Sequence, residues 1–347
     1  MIAALNACRF VYNWAIEDRM VLWQYCGVST SFFDQSAYLK HLKSANPFLG
    51  DVHAHLLQDA IKRADRAFAA FFARHKEGHG HPRFKGRDWY DSFTFKEFGN
   101  GAAFDGKRLY LSKIGRVRFV LHRPIVGEVK TCTIKRRADG WYILFSVEQA
   151  APSLSPVNEP VGIDVGLTAF ATLSNGEVIE NPRHLRVAEK NLKRCQRIVS
   201  RRKKGGYRRQ QAVRVLRTAH LRVRRSRRSF HFTVASRLVK RFNPIFVENL
   251  NIAGMVKNHS LAKSISDAGW GQFLGILSHS AESAGGSSDE VRAAGTSQDC
   301  STCGETVPKD LSERWHRCRC GCVLPRDENA ARNILQRGWA CRSGRAL

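Results

Sequence analysis

The sequence predicts an α+β multidomain chain. Three observations predict it. Helical periodicity dominates residues 3–75, short alternating runs parted by Gly and Asp dominate 93–148, and strand-like runs ending in acids alternate with helical stretches from 161 onward. A chain of 347 residues suits two or three domains, each large enough to bury its own core. Hydrophobic residues make up 43%, which excludes a disordered chain.

The helical reading of 3–23 rests on Leu5, Cys8, Val11 and Ala15, with Phe10, Trp14 and Ile16 broadening the stripe. Residues 54–75 repeat it with Leu57, Ile61, Ala64, Phe68 and Phe71. The aromatic stripe is read as a packed core face, and Ser29 to Phe48 as a looser connection. Five strands are then expected, at Phe93–Lys96, Arg108–Ser112, Arg116–Val120, Glu128–Lys135 and Trp141–Glu148. They read as antiparallel hairpins of a small barrel or sandwich. The Pro- and Ser-rich stretch 151–160 reads as a linker. Residues 161–180 read as a three-stranded meander, turning at Gly166 and at Ser174-Asn175-Gly176. A short apolar strand over 243–252 and a helix over 326–335 follow.

Charge narrows the function. Lys plus Arg number 57 against 30 Asp plus Glu, a formal net charge of +27. Such an excess repels itself in a compact fold, so a polyanionic partner is expected, with nucleic acid ahead of an anionic membrane surface. No apolar run approaches the ~20 residues of a spanning helix. The N-terminus has no basic n-region, long apolar core or cleavage site, so secretion is not expected. Residues 186–241 concentrate the charge, with 21 Lys or Arg and one acid, Glu189. Leu192, Ile198, Val199, Val213, Leu216 and Leu221 leave room there for long helices, broken at Gly205-Gly206. A charge run is usually a solvated face, but this imbalance points to phosphate contact, with tight and steeply salt-dependent binding. Arg201, Arg202, Lys203, Lys204, Arg208, Arg209, Arg224 and Arg225 are the candidate contacts.

Five of the ten cysteines fall between 300 and 322. Cys300-x-x-Cys303 and Cys318-x-Cys320 are the spacing of two knuckles that supply four thiolates to one tetrahedral Zn²⁺. Gly304 and Gly321, each just after the second cysteine of a pair, suit tight turns. Cys322 is a fifth thiol able to replace Cys318 or Cys320. A site with four protein ligands and no open position is structural, not catalytic.

Three acids stand at strand ends and a helix start. Asp164 interrupts the apolar and small run Val161-Gly162-Ile163-Asp164-Val165-Gly166, where a carboxylate costs several kcal/mol unless paired. Glu248 ends Ile245-Phe246-Val247-Glu248, and Asp327 opens the last helix. Singly, Glu248 reads as a solvated strand end and Asp327 as an N-cap. Converging, three carboxylates can hold two Mg²⁺ ions about 4 Å apart, the arrangement that activates water and stabilises the leaving oxygen of a phosphodiester.

GIDVGLTAFATLSNG, VENLNIAGM and TSQDCSTCG…HRCRCG…RDENAARNIL, in that order, resemble TnpB, the RNA-guided DNA endonucleases of insertion sequences, long described as transposases and related to type V CRISPR effectors. RAFAAFFARHKEGHGHPRFKGR and HSLAKSISDAGWGQF match as well, so the resemblance covers nearly the whole chain. It implies a helical recognition lobe over 1–80 and a wedge-like β-barrel over 81–150 that grips guide RNA and target duplex. It implies a RuvC-like, ribonuclease H-type nuclease over 157–295 and 323–347, with 186–241 as a basic helical insert and 296–322 as an inserted zinc ribbon. Asp164, Glu248 and Asp327 align with the catalytic acids, and Cys300, Cys303, Cys318 and Cys320 with the zinc ligands. The implied partners are a double-stranded DNA target and a guide RNA from the transposon end, with no membrane. The implied location is the cytoplasm of a prokaryote, at the nucleoid.

The chain departs from that family at several points. Nine residues precede Phe10, where family members carry a strand that would otherwise close the barrel edge. Pro325 stands where Asp is usual, Ser287-Ser288-Asp289-Glu290 is polar where an apolar strand belongs, and the tail after Leu335 is short. These features motivate a second reading, a guided binder without cleavage. A third is a transposase in the strict sense, joining DNA ends through the same acids, since ribonuclease H-like folds host both chemistries.

Overall fold

The computed structural model describes residues 1–150, 158–310 and 312–344. The chain divides into two units, Met1–Ala150 and Ala151–Leu347.

The first unit opens with helix α1 (Ile2–Cys26), whose buried face is Leu5, Cys8, Val11, Ala15 and Ile16, as the periodicity predicts. Helix α2 (Phe32–Ala45) occupies the stretch expected to be loose. The signal for it was local. Ser31 and Asp34 form a reciprocal capping box, which satisfies two otherwise unpaired N–H groups at a helix start. Helix α3 (Ala54–Arg74) buries Leu57, Ile61, Ala64 and Phe68. The strands are β1 (Ser92–Phe95), β2 (Ala102–Asp105), β3 (Arg108–Leu111), β4 (Gly115–Arg118), β5 (Glu128–Arg137) and β6 (Gly140–Glu148). They pair as two three-stranded antiparallel sheets, β1-β5-β6 and β2-β3-β4. Strand β2 was not expected, because its four residues sit between two Gly-containing turns. Residues of 1–80 and of 81–150 meet in one core, with Leu57 and Ile61 in the same cluster as Phe93, Phe95 and Leu109.

The second unit is built on a five-stranded sheet in the order β11-β10-β7-β8-β9. The predicted meander is β7 (Glu159–Val165), β8 (Ala169–Leu173) and β9 (Val178–Glu180). The linker expected at 151–160 falls mostly on 151–157, outside the described residues; β7 begins at Glu159. Helices α4 (His184–Ser200) and α5 (Tyr207–Arg241) then form a hairpin that turns at Gly205-Gly206, where Gly205 takes a φ of 83°. Strand β10 (Phe242–Asn249) returns parallel to β7. After it come α6 (Ile252–Met255), α7 (His259–Ala268), α8 (Trp270–Ser283) and β11 (Ser288–Arg292). The hairpin β12 (Trp315–Arg317) and β13 (Val323–Pro325) precedes the last helix, α9 (Arg326–Arg342).

All but Ser287 of the polar run 287–290 does lie in a strand, parallel to β10. Its polarity is tolerated because β11 is the sheet edge and buries only Val291. Backbone hydrogen bonds to β10 set its register, and Arg342 on α9 meets Asp289 at 2.8 Å.

Strand alternation sorts the two faces of this sheet. Val161, Ile163, Ile245 and Val247 face Val234, Ala235 and Leu238 of α5 and Phe273 and Leu277 of α8. Gly162 and Phe246 face α9 on the other side, where Phe246 clusters with Ile334 and Leu335. The approach there is close. A Cβ on Gly162 would lie 2.1 Å from the Ala331 carbonyl oxygen and 2.5 Å from the Leu335 nitrogen. One on Gly338 would lie 2.1 Å from the Phe246 ring. Both obstacles at Gly162 are backbone, which cannot rotate away. Gly162→Ala is therefore expected to destabilise the second unit by roughly 3 kcal/mol, the upper part of the overpacking range. Urea unfolding of the variant against the wild type checks it.

Candidate active site and candidate metal centre

The close packing of α9 on β7 gathers the acids. Ile163 of β7 lies opposite Val247 of β10, so one residue further along these parallel strands sets Asp164 beside Glu248. Asp164 is two residues from Gly162, and Glu248 two from Phe246, so both side chains project from the face that α9 covers. Asp327 lies in the first turn of α9, where the helix dipole favours a negative charge. Pro325 occupies the N-cap position, so Asp327 is not the cap. It pairs instead with Arg326, Nε to Oδ1 at 3.3 Å. The three acids thus come from three separate places in the chain to one end of the sheet.

Electrostatics records their proximity. Burial pushes the Asp164 carboxyl well above the usual carboxylate range, the charges of Glu248 and Asp327 push the same way, and Arg326 opposes them. Burial also raises Glu248, against a hydrogen bond from the Thr296 hydroxyl and the charge of Arg337. These shifts reflect the same cost, the concentration of negative charge away from water. A divalent cation held by these oxygens would offset that cost.

The cysteines meet more tightly. The thiols of Cys300, Cys303, Cys318 and Cys320 all lie within 4.8 Å of one another, with Cys300 to Cys320 at 3.7 Å and Cys303 to Cys318 at 3.5 Å. Such a set can hold a metal ion such as zinc. Gly304 and Gly321 take φ values of 78° and 88°, and their N–H groups donate to the carbonyls of Cys300 and Cys318 at 2.9 and 3.1 Å. These are the turns the sequence predicts. Cys322 falls outside this set and groups instead with Cys300 and His316. Burial works to raise the Cys300 thiol, but backbone N–H groups at Cys303 and Thr302, with His316 and Cys320, bring it down to about 5. Against a backbone hydrogen bond to each, hydrogen bonding among the thiols pushes Cys318 up to about 12 and raises Cys320 as well, so the four share protons that a bound metal would displace.

The basic hairpin presents its cations outward. Arg201, Arg202, Lys203, Lys204, Arg208 and Arg224 are exposed and make no ion pair among the described residues. Arg225 is also exposed. Arg209 has a structural task as well, donating to the Val199 carbonyl at 2.8 Å near the end of α4. The lone acid Glu189 is held by Lys193 at 2.8 Å and by Lys263 at 2.7 Å. Helix α5, at 35 residues, runs roughly 50 Å.

Sequence reasoning missed Thr296, whose hydroxyl reaches Glu248, and Asn329, Asn333 and Arg337, which bind the segment 292–301. A signal was present for two of them. Asn329 and Asn333 are polar residues four apart inside a helix, where Asn is a weak former, and both are buried.

A family model described as a probable transposase matches residues 143–259, and one described as Cas12f1-like, TNB domain, matches 270–334. A protein of Streptomyces pristinaespiralis named "Putative RNA-guided DNA endonuclease" is 34% identical over 341 residues, spanning 96% of this chain and 84% of its own. InsQ of Escherichia coli K12, which carries the same description, is 30% identical over 355 residues, spanning 96% and 87%. Cas12f1, in its cryo-EM complex with sgRNA and target DNA, has a TM-score of 0.59 at 13% identity, over 96% of this chain and 81% of its own, a likeness of fold. The chain belongs to the TnpB family. Among the described residues no helix is long and apolar enough to cross a membrane.

The raised carboxyls have a consequence for stability. Each stabilises the fold fully below the ordinary carboxylate range near pH 4, and loses that contribution as pH rises through its raised value. With no added divalent cation, the thermal midpoint of Asp164→Asn is therefore expected to gain on that of the wild type as pH rises above about 4. Calorimetry across that range measures both.

Proposed function

We propose that the chain is an RNA-guided DNA endonuclease with a RuvC-like, ribonuclease H-type centre at Asp164, Glu248 and Asp327. The observation that carries it is the convergence of these carboxylates on one face of the sheet, in a chain of net charge +27. The names of the two bacterial relatives support the same activity. Mg²⁺ held by the three acids would supply Lewis-acid stabilisation and lower the pKa of a bound water. The protein's own part is to fix the acids. The sheet register sets Asp164 beside Glu248, and α9 brings Asp327 to them. Arg326, beside Asp327, contributes positive charge close to where a scissile phosphate would bind. Attack by water with the 3′-oxygen as leaving group breaks the P–O3′ bond and would give a 5′-phosphate and a 3′-hydroxyl.

The cysteine ribbon, with Zn²⁺ on Cys300, Cys303, Cys318 and Cys320, holds its segment against α9 and has no open position for chemistry. The α4–α5 hairpin tracks the phosphates of guide RNA or target DNA. Contacts of this kind suit a protein whose target sequence is read by base pairing. The wedge role of the β segment and the recognition role of the N-terminal helices complete the proposal.

The test begins with expression of the chain together with the DNA that flanks its gene, followed by sequencing of RNA that survives a high-salt wash. One discrete structured RNA ending in a variable guide is expected. Supplied with that RNA, Mg²⁺ and a matching duplex, the protein is expected to cut, and Asp164→Ala to lose about 10²- to 10³-fold in rate, the scale of a lost electrostatic contributor. Cleavage undiminished in Asp164→Ala would overturn the assignment. RNA and target binding without scission at any Mg²⁺ or Mn²⁺ concentration would instead establish the guided binder.

Salt dependence tests the basic hairpin separately. Replacing Lys203, Lys204 and Arg208 together with Ala is expected to lower the slope of log K against log salt by about one for each phosphate no longer neutralised. RNA binding measured over a salt series reads it, and an unchanged slope places the phosphate-binding cations elsewhere.

A further inference from the structure

Helix α9 carries a polar stripe that binds the segment leading into the ribbon. Asn329, Asn333, Gln336 and Arg337 stand at helical spacing, and all four reach residues 292–301. Asn329 Nδ2 donates to the Asp299 carbonyl at 2.8 Å, and its Oδ1 accepts the Ser301 N–H at 3.0 Å. Asn333 Nδ2 donates to the carbonyls of Thr296 and Asp299 at 2.8 and 2.7 Å. Gln336 Nε2 donates to the Ser301 carbonyl at 2.7 Å. Arg337 donates to the carbonyls of Arg292 and Ala294 at 3.0 and 2.6 Å and pairs with Asp299 at 2.6 Å. Cys300 lies between Asp299 and Ser301, so the first cysteine knuckle is fastened on both sides to the helix that bears Asp327.

Thr296 extends this link to the second acid. Its backbone carbonyl is held by Asn333, while its buried hydroxyl reaches Glu248 Oε1 and lies 3.0 Å from the Ala293 carbonyl. A carboxylate that ligates a cation through one oxygen is fixed in rotation by a donor on the other. Among the described residues, Thr296 is the side chain that hydrogen-bonds Glu248.

We propose that Thr296 is a positioning residue for Glu248, and that Asn329 and Asn333 tie it to the cysteine knuckle, so that the ribbon sets how tightly the carboxylates take a divalent cation. This rests on the carboxylate centre proposed above. Outer partners of metal ligands commonly change affinity by about 10-fold or more. The ribbon is thereby part of the cation site, although none of its cysteines touches it.

The experiment is Mn²⁺ binding to the full chain, followed by electron paramagnetic resonance, with zinc content and circular dichroism as fold controls. Thr296→Val, near in shape but without the hydroxyl, is expected to weaken Mn²⁺ by about 10-fold with zinc content unchanged. Thr296→Ser keeps the donor and is expected to stay within about 2-fold of wild type. Asn333→Ala, which keeps the hydroxyl but releases its backbone, is expected to fall between them and serves if Thr296→Val does not fold. Wild-type affinity in Thr296→Val, or equal loss in the Val and Ser variants, overturns the positioning role. Asp164→Ala separates the two levels: loss of Mn²⁺ there with none in Thr296→Val sinks this inference alone, and no loss in Asp164→Ala sinks the carboxylate centre with it.

Discussion

The backbone of α9 lies almost in contact with the backbone of β7, and the rest of the second unit depends on that approach. Only a residue without a Cβ at position 162 admits it, since the Ala331 carbonyl and the Leu335 nitrogen fill the space. The helix is thereby fixed in depth and direction. Its first turn falls where Asp164 and Glu248 leave the sheet, and its later turns fall against β10, where Gly338 accommodates the Phe246 ring. A helix seated a few ångströms higher would carry Asp327 away from its partners and break the polar contacts to 292–301. Interiors packed to this density transmit displacements rather than absorb them.

Two opposed electrostatic problems are handled in different ways. The negative one is local and partly buried, held together by covalent connection and strand register although the charges repel. The positive one is spread over exposed helices, where solvent and salt screen it and where an external polyanion can neutralise it. Glu189 and its lysine partners show how little the hairpin does to neutralise itself. The sheet face thus gathers negative charge and the basic helices display positive charge.

The cysteine segment combines local turns with long-range attachment. Its cysteines converge through two Gly turns, a local event that spacing alone encodes. Its attachment to α9 uses Asn side chains that satisfy the carbonyls and N–H groups of an irregular segment, which would otherwise be buried without partners. Irregular backbone bears one polar obligation per group, and a helix bearing amides at helical spacing meets several of them at once.

Much of this was legible in the sequence. Periodicity gave α1 and α3, the meander of β7 to β9, and the break at Gly205-Gly206, because hydrophobic spacing and Gly conformation are properties of short segments. The cysteine pairs and their glycines were legible for the same reason, and Asp164 stood out because a carboxylate in an apolar strand needs a partner. Helix α2 was encoded in a capping box rather than in a strong stripe, and β11 was obscured because an edge strand buries one residue in five. Tertiary structure alone decided which acids meet, which side of the sheet they share, and that the Thr296 hydroxyl reaches Glu248. Those facts depend on parallel strand register and on helix-to-sheet distance, which join residues far apart in the chain and leave no mark on local spacing.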